Sequence, residues 1–173
     1  SFAPGTDIGI AGEDTASLAL ADVDGDGDLD LIAGNYAAPT RLYLNQGGLQ
    51  QGSEGSFGSG IDISSLSRNT ASLALGDVDG DGYPDLVTGN SGGTNRLYRG
   101  AAGGGFDPGT DISIDSGDTR SVALADFDAD GDLDLLAGSA TTANRLFIND
   151  GSGNFDTPLE ITPDVHDTRA VLP

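Results

Sequence analysis

The sequence of 173 residues is acidic and rich in glycine, with 28 Asp and Glu against seven Lys and Arg, a formal net charge of −21 and 28 Gly. All the basic residues are Arg, and the clustered Lys and Arg that bind nucleic acid and anionic membranes are missing, so we expect neither partner. Cys is absent, which excludes disulfides and thiolate metal sites, and no apolar run approaches the roughly 20 residues that span a membrane.

One unit is repeated along the chain. The segments TASLALADVDGDGDLDLIAGN, TASLALGDVDGDGYPDLVTGN and TRSVALADFDADGDLDLLAGS begin at Thr15, Thr70 and Thr119, and a fourth start, TRAVLP, begins at Thr168. The offsets between the starts are 55, 49 and 49 residues. A period of this length is typical of repeat architectures, so the unit decides the fold.

Each unit predicts four short strands. In the first unit these are SLAL, LDLIAG, RLYL and GIDI, in that order, with Gly, Asn, Asp and Pro between them. No stretch has a helical apolar stripe of useful length. Four strands in a unit of about 50 residues are typical of a propeller blade.

We therefore predict an all-β fold, a β-propeller-type array of four-stranded antiparallel blades that forms a single repeat domain over residues 1–173. Rings have about four to eight blades, so three do not close one, and we expect either a homo-oligomer or part of a longer chain. The predicted parts are three full blades at about 16–63, 71–114 and 120–161, an orphan fourth strand at about 2–10 and an orphan first strand at about 168–172.

A loop with the pattern D-x-D-x-D-G-x-x-D follows the first strand of every unit. Positions 1, 3, 5 and 9 offer carboxylates, the Gly at position 6 permits a sharp bend, and position 7 offers at least its backbone carbonyl. Three such loops predict three Ca²⁺ sites. The candidate ligands are Asp22, Asp24, Asp26, Asp28 and Asp30; Asp77, Asp79, Asp81, Tyr83 and Asp85; and Asp126, Asp128, Asp130, Asp132 and Asp134.

The simpler interpretation of each loop is a solvated turn. Two unit charges about 5 Å apart repel by roughly 3 kcal/mol at an effective dielectric constant of about 20, so four converging carboxylates resist folding without a cation. A turn does not require four Asp at alternate positions, three times in register. Asp in place of His or Cys argues against zinc, and magnesium is less suited to a cage made of protein oxygens.

The surroundings of the loops distinguish them from other Asp-rich calcium motifs. An EF-hand ends with Glu at position 12 between helices, dockerin modules share that helical context, and thrombospondin-type repeats depend on Cys. The three loops, the RLYLN segment and NDGSGNF at 149–155 together resemble the FG-GAP/VCBS repeat, the blade of integrin α-subunit-like propellers. This resemblance implies a β-propeller with calcium between the first and second strands, found outside the cytoplasm. Phe106 and Phe155 precede Asp instead of Gly, which is closer to VCBS repeats.

Other repeated residues have structural interpretations. Ion pairs with Asp are expected for Arg41, Arg96 and Arg145, and packing between blades for Tyr43, Tyr98 and Phe147. The single His166 lacks any nucleophile motif around it. We predict no catalytic residue and no enzyme.

Three functions are compatible with this pattern. The first is an extracellular recognition or adhesion module, secreted or at the cell surface, with a protein or glycan ligand that the sequence does not identify. The second is a structural subunit that assembles through its terminal strands into a calcium-stabilised ring or filament. The third is a non-catalytic domain of a larger secreted enzyme. Fold alone does not decide between them.

Overall fold

The computed structural model describes residues 7–9, 12–47, 56–113, 117–161 and 167–172. Within these ranges the chain contains no helix, and every strand pair is antiparallel, so the predicted all-β array is confirmed. The described strands are β1 (Asp14–Ala21), β2 (Asp30–Tyr36), β3 (Arg41–Tyr43), β4 (Ile61–Asp62), β5 (Thr70–Gly76), β6 (Asp85–Gly93), β7 (Arg96–Tyr98), β8 (Gly100–Ala101), β9 (Gly105–Phe106), β10 (Thr110–Asp111), β11 (Gly117–Ala125), β12 (Asp134–Ser139), β13 (Arg145–Phe147) and β14 (Leu159–Glu160).

Each blade is a four-stranded meander. The strand orders are β1-β2-β3-β4, β5-β6-β7-β10 and β11-β12-β13-β14, and the short hairpin β8-β9 lies in the connection between β7 and β10. Pairing of Asp118 with Ser91 joins β11 to β6, so the second and third blades share a hydrogen-bonded edge. The first strand of every blade has a register shift at the same place, between Thr and the Ser two residues later.

The apolar core lies between neighbouring blades. One face of each blade packs against the opposite face of the next, which explains why a single unit does not bury its own apolar residues. The predicted packing role of Tyr98 and Phe147 is confirmed, and Tyr43 is also buried. The buried residues between the first two blades are Val23, Ile32, Leu42, Leu86 and Tyr98, and those between the second and third are Val78, Val87, Leu97, Val122, Leu135, Ala137 and Phe147.

A Gly–Thr contact fixes the position of each blade against the next. A Cβ atom on Gly34 would lie 2.7 Å from Thr70 Cγ2, and one on Gly89 would lie 2.9 Å from Thr119 Cγ2. No side chain fits there, because real Cβ atoms do not approach other carbons so closely. The N–H of Val122 also donates to Ser72 Oγ across this seam, at 3.1 Å.

The described residues near the two ends of the chain contact the outer blades at the positions where neighbouring blades contact each other. At the C-terminal side, a Cβ on Gly138 would lie 2.8 Å from Thr168 Cγ2, and the N–H of Val171 donates to Ser121 Oγ at 3.1 Å. Residues 167–172 form no strand ladder, although they repeat the Gly–Thr contact. The predicted strand at 2–10 falls mostly outside the described residues.

The first blade keeps one apolar face open among the described residues. Leu18 and Leu20 on β1 are 63% and 58% exposed. Their equivalents in the second blade, Leu73 and Leu75, are partly buried against the first blade. Leu18 and Leu20 are therefore exposed because the first blade lies at the end of the described array, and not because β1 has a different conformation.

Candidate metal centre

The side chain of the first Asp organises each loop. Asp22 accepts backbone N–H bonds from Gly25 at 2.8 Å, Asp26 at 3.1 Å and Gly27 at 3.0 Å. Because one short carboxylate receives all three, the backbone has to curl around it. The equivalent bonds from positions 4 and 6 reach Asp77 at 2.8 and 2.9 Å, and Asp126 at 2.7 and 3.1 Å.

This curl requires left-handed backbone at positions 4 and 6. The predicted role of the Gly at position 6 is confirmed by φ values of 95°, 90° and 101° in the three loops. Position 4 has φ values of 77° at Gly25 and 73° at Gly80. In the third loop Ala129 occupies position 4 with a φ of 66°, a conformation that costs a residue with a Cβ about 1–2 kcal/mol.

The carboxylates at positions 3 and 5 also turn back onto the loop backbone. Asp24 Oδ1 accepts the N–H of Asp26 at 3.2 Å, and Asp26 Oδ1 accepts the N–H of Asp28 at 2.9 Å. The same two bonds recur in the second and third loops. One oxygen of each side chain is thus fixed, which orients the other one.

The Asp at position 9 is buried in every blade and joins the loop to the end of the third strand. Asp30 is fully buried, and its two oxygens accept the N–H groups of Val23 and Asn45, both at 2.8 Å. In the second blade, burial raises the pKa of Asp85, and two backbone N–H groups oppose that rise. The equivalent bonds to Asp85 and Asp134 are between 2.7 and 2.9 Å long.

Positions 1, 3 and 9 converge. In each loop these three residues bring one carboxylate oxygen apiece within 4.8 Å of one another. The groups do not include positions 5 and 7. The groups are Asp22, Asp24 and Asp30; Asp77, Asp79 and Asp85; and Asp126, Asp128 and Asp134.

Two buried carboxylate oxygens in the first loop have no hydrogen-bond donor. Asp26 Oδ2 and Asp28 Oδ2 are both inaccessible to solvent and unpaired. A buried oxygen without a donor costs free energy unless another positive group approaches it. In the third loop, desolvation and then the neighbouring charge of Asp130 raise the pKa of Asp128. Both observations fit a donor set arranged for a cation.

The oxygen ligands that these loops offer are those that a hard cation prefers. Carboxylate and carbonyl oxygens suit Ca²⁺, which takes about six to eight oxygen ligands in flexible geometry. The described residues contribute no His to these groups, and the chain has no Cys, so the nitrogen and sulfur ligands that favour zinc are missing. The convergent carboxylates at positions 1, 3 and 9 are therefore compatible with calcium.

The turn between the third and fourth strands of one blade covers the Asp loop of the preceding blade. A Cβ on Gly104 would lie 2.6 Å from Asp24 Cβ, and one on Gly153 would lie 3.4 Å from Asp79 Cβ. In the second loop Arg99 also takes part, with its Nε 3.3 Å from Asp79 Oδ2. Neighbouring blades and metal loops are thus in direct contact.

The comparison with known families agrees with this architecture. The model of the FG-GAP-like repeat matches the chain twice, over residues 22–88 and 77–137. The chain belongs to the FG-GAP-like repeat family. Each match begins at the first Asp of a loop, Asp22 or Asp77, and ends in the second strand of the following blade. No curated relative matches the chain.

Membership of the FG-GAP-like repeat family indicates the kind of protein in which such repeats usually occur. Repeats of this family are typical of extracellular proteins, and the family is generally non-catalytic. Among the described residues, no helix has the length and apolar character that crossing a membrane requires.

The remaining candidate residues have mostly structural roles. The predicted ion pairs with Asp are confirmed for Arg41, which lies 2.7 Å from Asp62, and for Arg96, which lies 2.7 Å from Asp111. Arg145 lies 4.0 Å from a glutamate, Glu160. These pairs join the third strand of each blade to the fourth. His166 lies outside the described residues.

Three residues around the loops had no role in the sequence-based prediction. Asn45 and Asn149 donate through Nδ2 to the backbone carbonyls of Leu29 and Leu133, at 3.2 and 3.1 Å, and so fix position 8 of their loops. Their recurrence in RLYLN and RLFIN is a signal that could have revealed this role. Arg99 does not recur, and no repeat signal indicates it.

Proposed function

We propose that this chain is a calcium-binding β-propeller module that acts outside the cell in recognition or adhesion. Each Asp loop holds one Ca²⁺ through the carboxylates at positions 1, 3, 5 and 9 and the backbone carbonyl at position 7. The observation that carries the proposal is the convergence of three carboxylates within 4.8 Å at the same place in every blade. Catalytic centres are seldom present in three copies, whereas metal sites of repeat proteins often are.

The proposed role of calcium is to hold the blades rigid. Without a cation, the converging carboxylates oppose the curl of the loop, and with one the same charges favour it. The first and second loops also contact the turn of the next blade, at Gly104 and Gly153 respectively. Calcium therefore stabilises both a loop and the seam beside it. Millimolar extracellular calcium suits such sites.

Thermal unfolding tests the calcium proposal. At a free concentration ten times the dissociation constant, one site adds about 1.4 kcal/mol, so three independent sites add roughly 4 kcal/mol. We expect the melting temperature to rise clearly between EGTA and millimolar calcium, and magnesium at the same concentration to raise it much less. An unchanged melting temperature would show that the loops are solvated turns.

The recognition role is tested by binding in the presence and absence of calcium. The chain is immobilised and exposed to a panel of glycans and extracellular matrix proteins in calcium and in EGTA. We expect at least one ligand that binds only in calcium and is lost in a variant with Asp22, Asp77 and Asp126 all changed to Ala. Ligands that bind equally in EGTA would contradict a calcium-dependent recognition module.

The exposure of Leu18 and Leu20 favours a second candidate, a subunit that assembles with copies of itself. Their equivalents Leu73 and Leu75 are covered by a neighbouring blade, so the open face has the chemistry of a blade interface. Light scattering over a dilution series in calcium tests this. We expect oligomers that dissociate in a variant with Asp at both positions, and a folded species of about 17 kDa at every concentration would contradict assembly.

A further inference from the structure

The three metal loops differ in their charge. The first and third loops each contain five Asp, whereas the second contains four, because Tyr83 occupies position 7 in place of Asp28 and Asp132. The second loop is also the one that Arg99 approaches. Counting this guanidinium, the formal charge at the second loop is −3 against −5 at each of the other two.

Arg99 occupies a blade position where the other units have apolar residues. The offsets of 55 and 49 place Leu44 in the first blade and Ile148 in the third at the same point of the repeat. The repeat fold therefore does not require a cation here. Arg99 is a feature of the second blade alone among these three.

The guanidinium of Arg99 is held in place from two sides. Its Nε lies 3.3 Å from Asp79 Oδ2, and its Nη2 donates to the backbone oxygen of Gly153 at 3.0 Å and of Ser152 at 3.4 Å. The side chains of Arg99 and Asp79 are 28% and 17% exposed, so solvent screens this pair only in part. The group that Arg99 faces is position 3 of the loop, one of the three convergent carboxylates.

We propose that Arg99 is a built-in cation that weakens calcium binding at the second loop, which is therefore the last of the three to fill. This inference rests on the proposed calcium function. A fixed positive charge beside a ligand carboxylate repels an incoming Ca²⁺. It also neutralises part of the negative charge that would attract the ion. Calcium and Arg99 compete for Asp79, so the calcium-free second loop already has a positive charge beside one of its ligands.

The arrangement also links the second site to the third blade. The same guanidinium that faces Asp79 holds the turn of the third blade through Ser152 and Gly153. When calcium takes over Asp79, Arg99 retains only the turn. Calcium entry at the second loop thus changes the surroundings of the residue that holds this seam.

A titration of the whole chain with calcium, followed residue by residue by amide NMR, tests the proposal. The backbone amides of Gly27, Gly82 and Gly131 report on one loop each, because each is position 6 of its loop. We expect Gly82 to shift at a higher calcium concentration than the other two. Arg99→Leu, which copies the first blade, should tighten binding at Gly82 by about tenfold and leave Gly27 and Gly131 unchanged.

Three further variants isolate the effect of the charge. Arg99→Gln also removes it and should behave as Arg99→Leu does, which keeps the test valid if one variant folds poorly. Arg99→Lys retains the charge and should keep the weak second site. Arg120→Leu removes an Arg that pairs with Asp118 instead of a metal loop, and it should leave Gly82 unchanged.

The outcomes are distinguishable. Tightening at Gly82 in both uncharged variants, and in neither control, supports the proposal. Equal affinity of Gly82 in the wild-type chain and both uncharged variants overturns it, while calcium binding itself stands. A chain in which no loop glycine shows a saturable shift overturns the calcium function, and the role of Arg99 with it.

Discussion

The buried carboxylate of Asp85 accepts a 2.7 Å hydrogen bond from the backbone N–H of Gly100, fifteen residues further along the chain. Its other oxygen accepts the N–H of Val78 at 2.9 Å. One side chain therefore closes the metal loop and ties it to Gly100 in β8, which follows the third strand. Position 9 has a structural role in addition to its proposed role as a ligand.

Asp85→Ala should destabilise the chain even in EGTA. The substitution leaves two buried N–H groups without an acceptor, and we expect a loss of about 2–5 kcal/mol in the free energy of unfolding. Urea denaturation in EGTA measures it. Asp81→Ala is the matched control, because its side chain is exposed, and should change stability by less than about 0.5 kcal/mol. Equal effects of the two variants would show that Asp85 acts only through the metal.

Removal of two ligands from one loop should remove one calcium ion. Asp79→Ala combined with Asp81→Ala is expected to lower the stoichiometry from three to about two in titration calorimetry, because each loop supplies its own ligands. The pair Asp14→Ala and Asp156→Ala removes the same charge at exposed positions outside the loops. That control should keep all three sites. A fall to zero in the first variant would mean that the sites are coupled or that the fold is lost.

Ala129→Gly should stabilise the third blade. Ala129 has a φ of 66°, and Gly relieves this strain at some cost in unfolded-chain entropy, so we expect a net gain of about 0.5–1 kcal/mol. The reverse change at the equivalent position, Gly80→Ala, should destabilise by a similar amount. Urea denaturation of both variants in EGTA measures the pair. Effects of the same sign would contradict the strain argument.

Leucine residues at one repeat position should differ in their contribution to stability. Leu73→Ala removes packing between the first two blades and is expected to cost about 2 kcal/mol. Leu18→Ala should cost less than about 0.5 kcal/mol in the monomer, since Leu18 is 63% exposed. Thermal unfolding at low protein concentration compares them. A large loss for Leu18→Ala at every concentration would mean that residues of the same chain cover this face.

Asp150 should have a low pKa. The Asn154 side chain donates to its carboxylate at 3.0 Å, the N–H of Ser152 donates at 2.9 Å, and together they hold the pKa of Asp150 below the ordinary value of 3.8. A depressed folded-state pKa adds stability above the ordinary pKa, and this stability is lost as the pH falls through the folded-state pKa. Carbon-detected NMR titration measures the pKa directly. Asn154→Ala should raise it towards the ordinary value, and an unchanged pKa would contradict the assignment of its cause.

The repeat period made most of the fold predictable. Four strands per unit, the position of the Asp loops and the packing of Tyr98 and Phe147 all followed from residues that recur with the same spacing. The convergence of positions 1, 3 and 9 belongs to the loop itself, so local sequence indicates it. The predicted roles of positions 1, 3, 5, 7 and 9 as ligands remain predictions.

The repeats did not reveal contacts that occur only once or that cross a seam between blades. Arg99 reaches the turn at Gly153 only because the third blade docks beside the second, and no spacing within one unit encodes that docking. Such contacts require knowledge of which blade face meets which.

The Gly–Thr seam bears on how a protein of this kind changes length in evolution. Gly89 and Thr70 lie in the same blade, so a tandem duplication of that blade brings a glycine and a threonine together at the new junction without any substitution. Each inserted copy also brings its own Asp loop and, on the proposed function, its own calcium site. Genetic duplication of a single unit thus yields a longer array that fits at once, and blade number can vary among descendants while the junction chemistry stays the same.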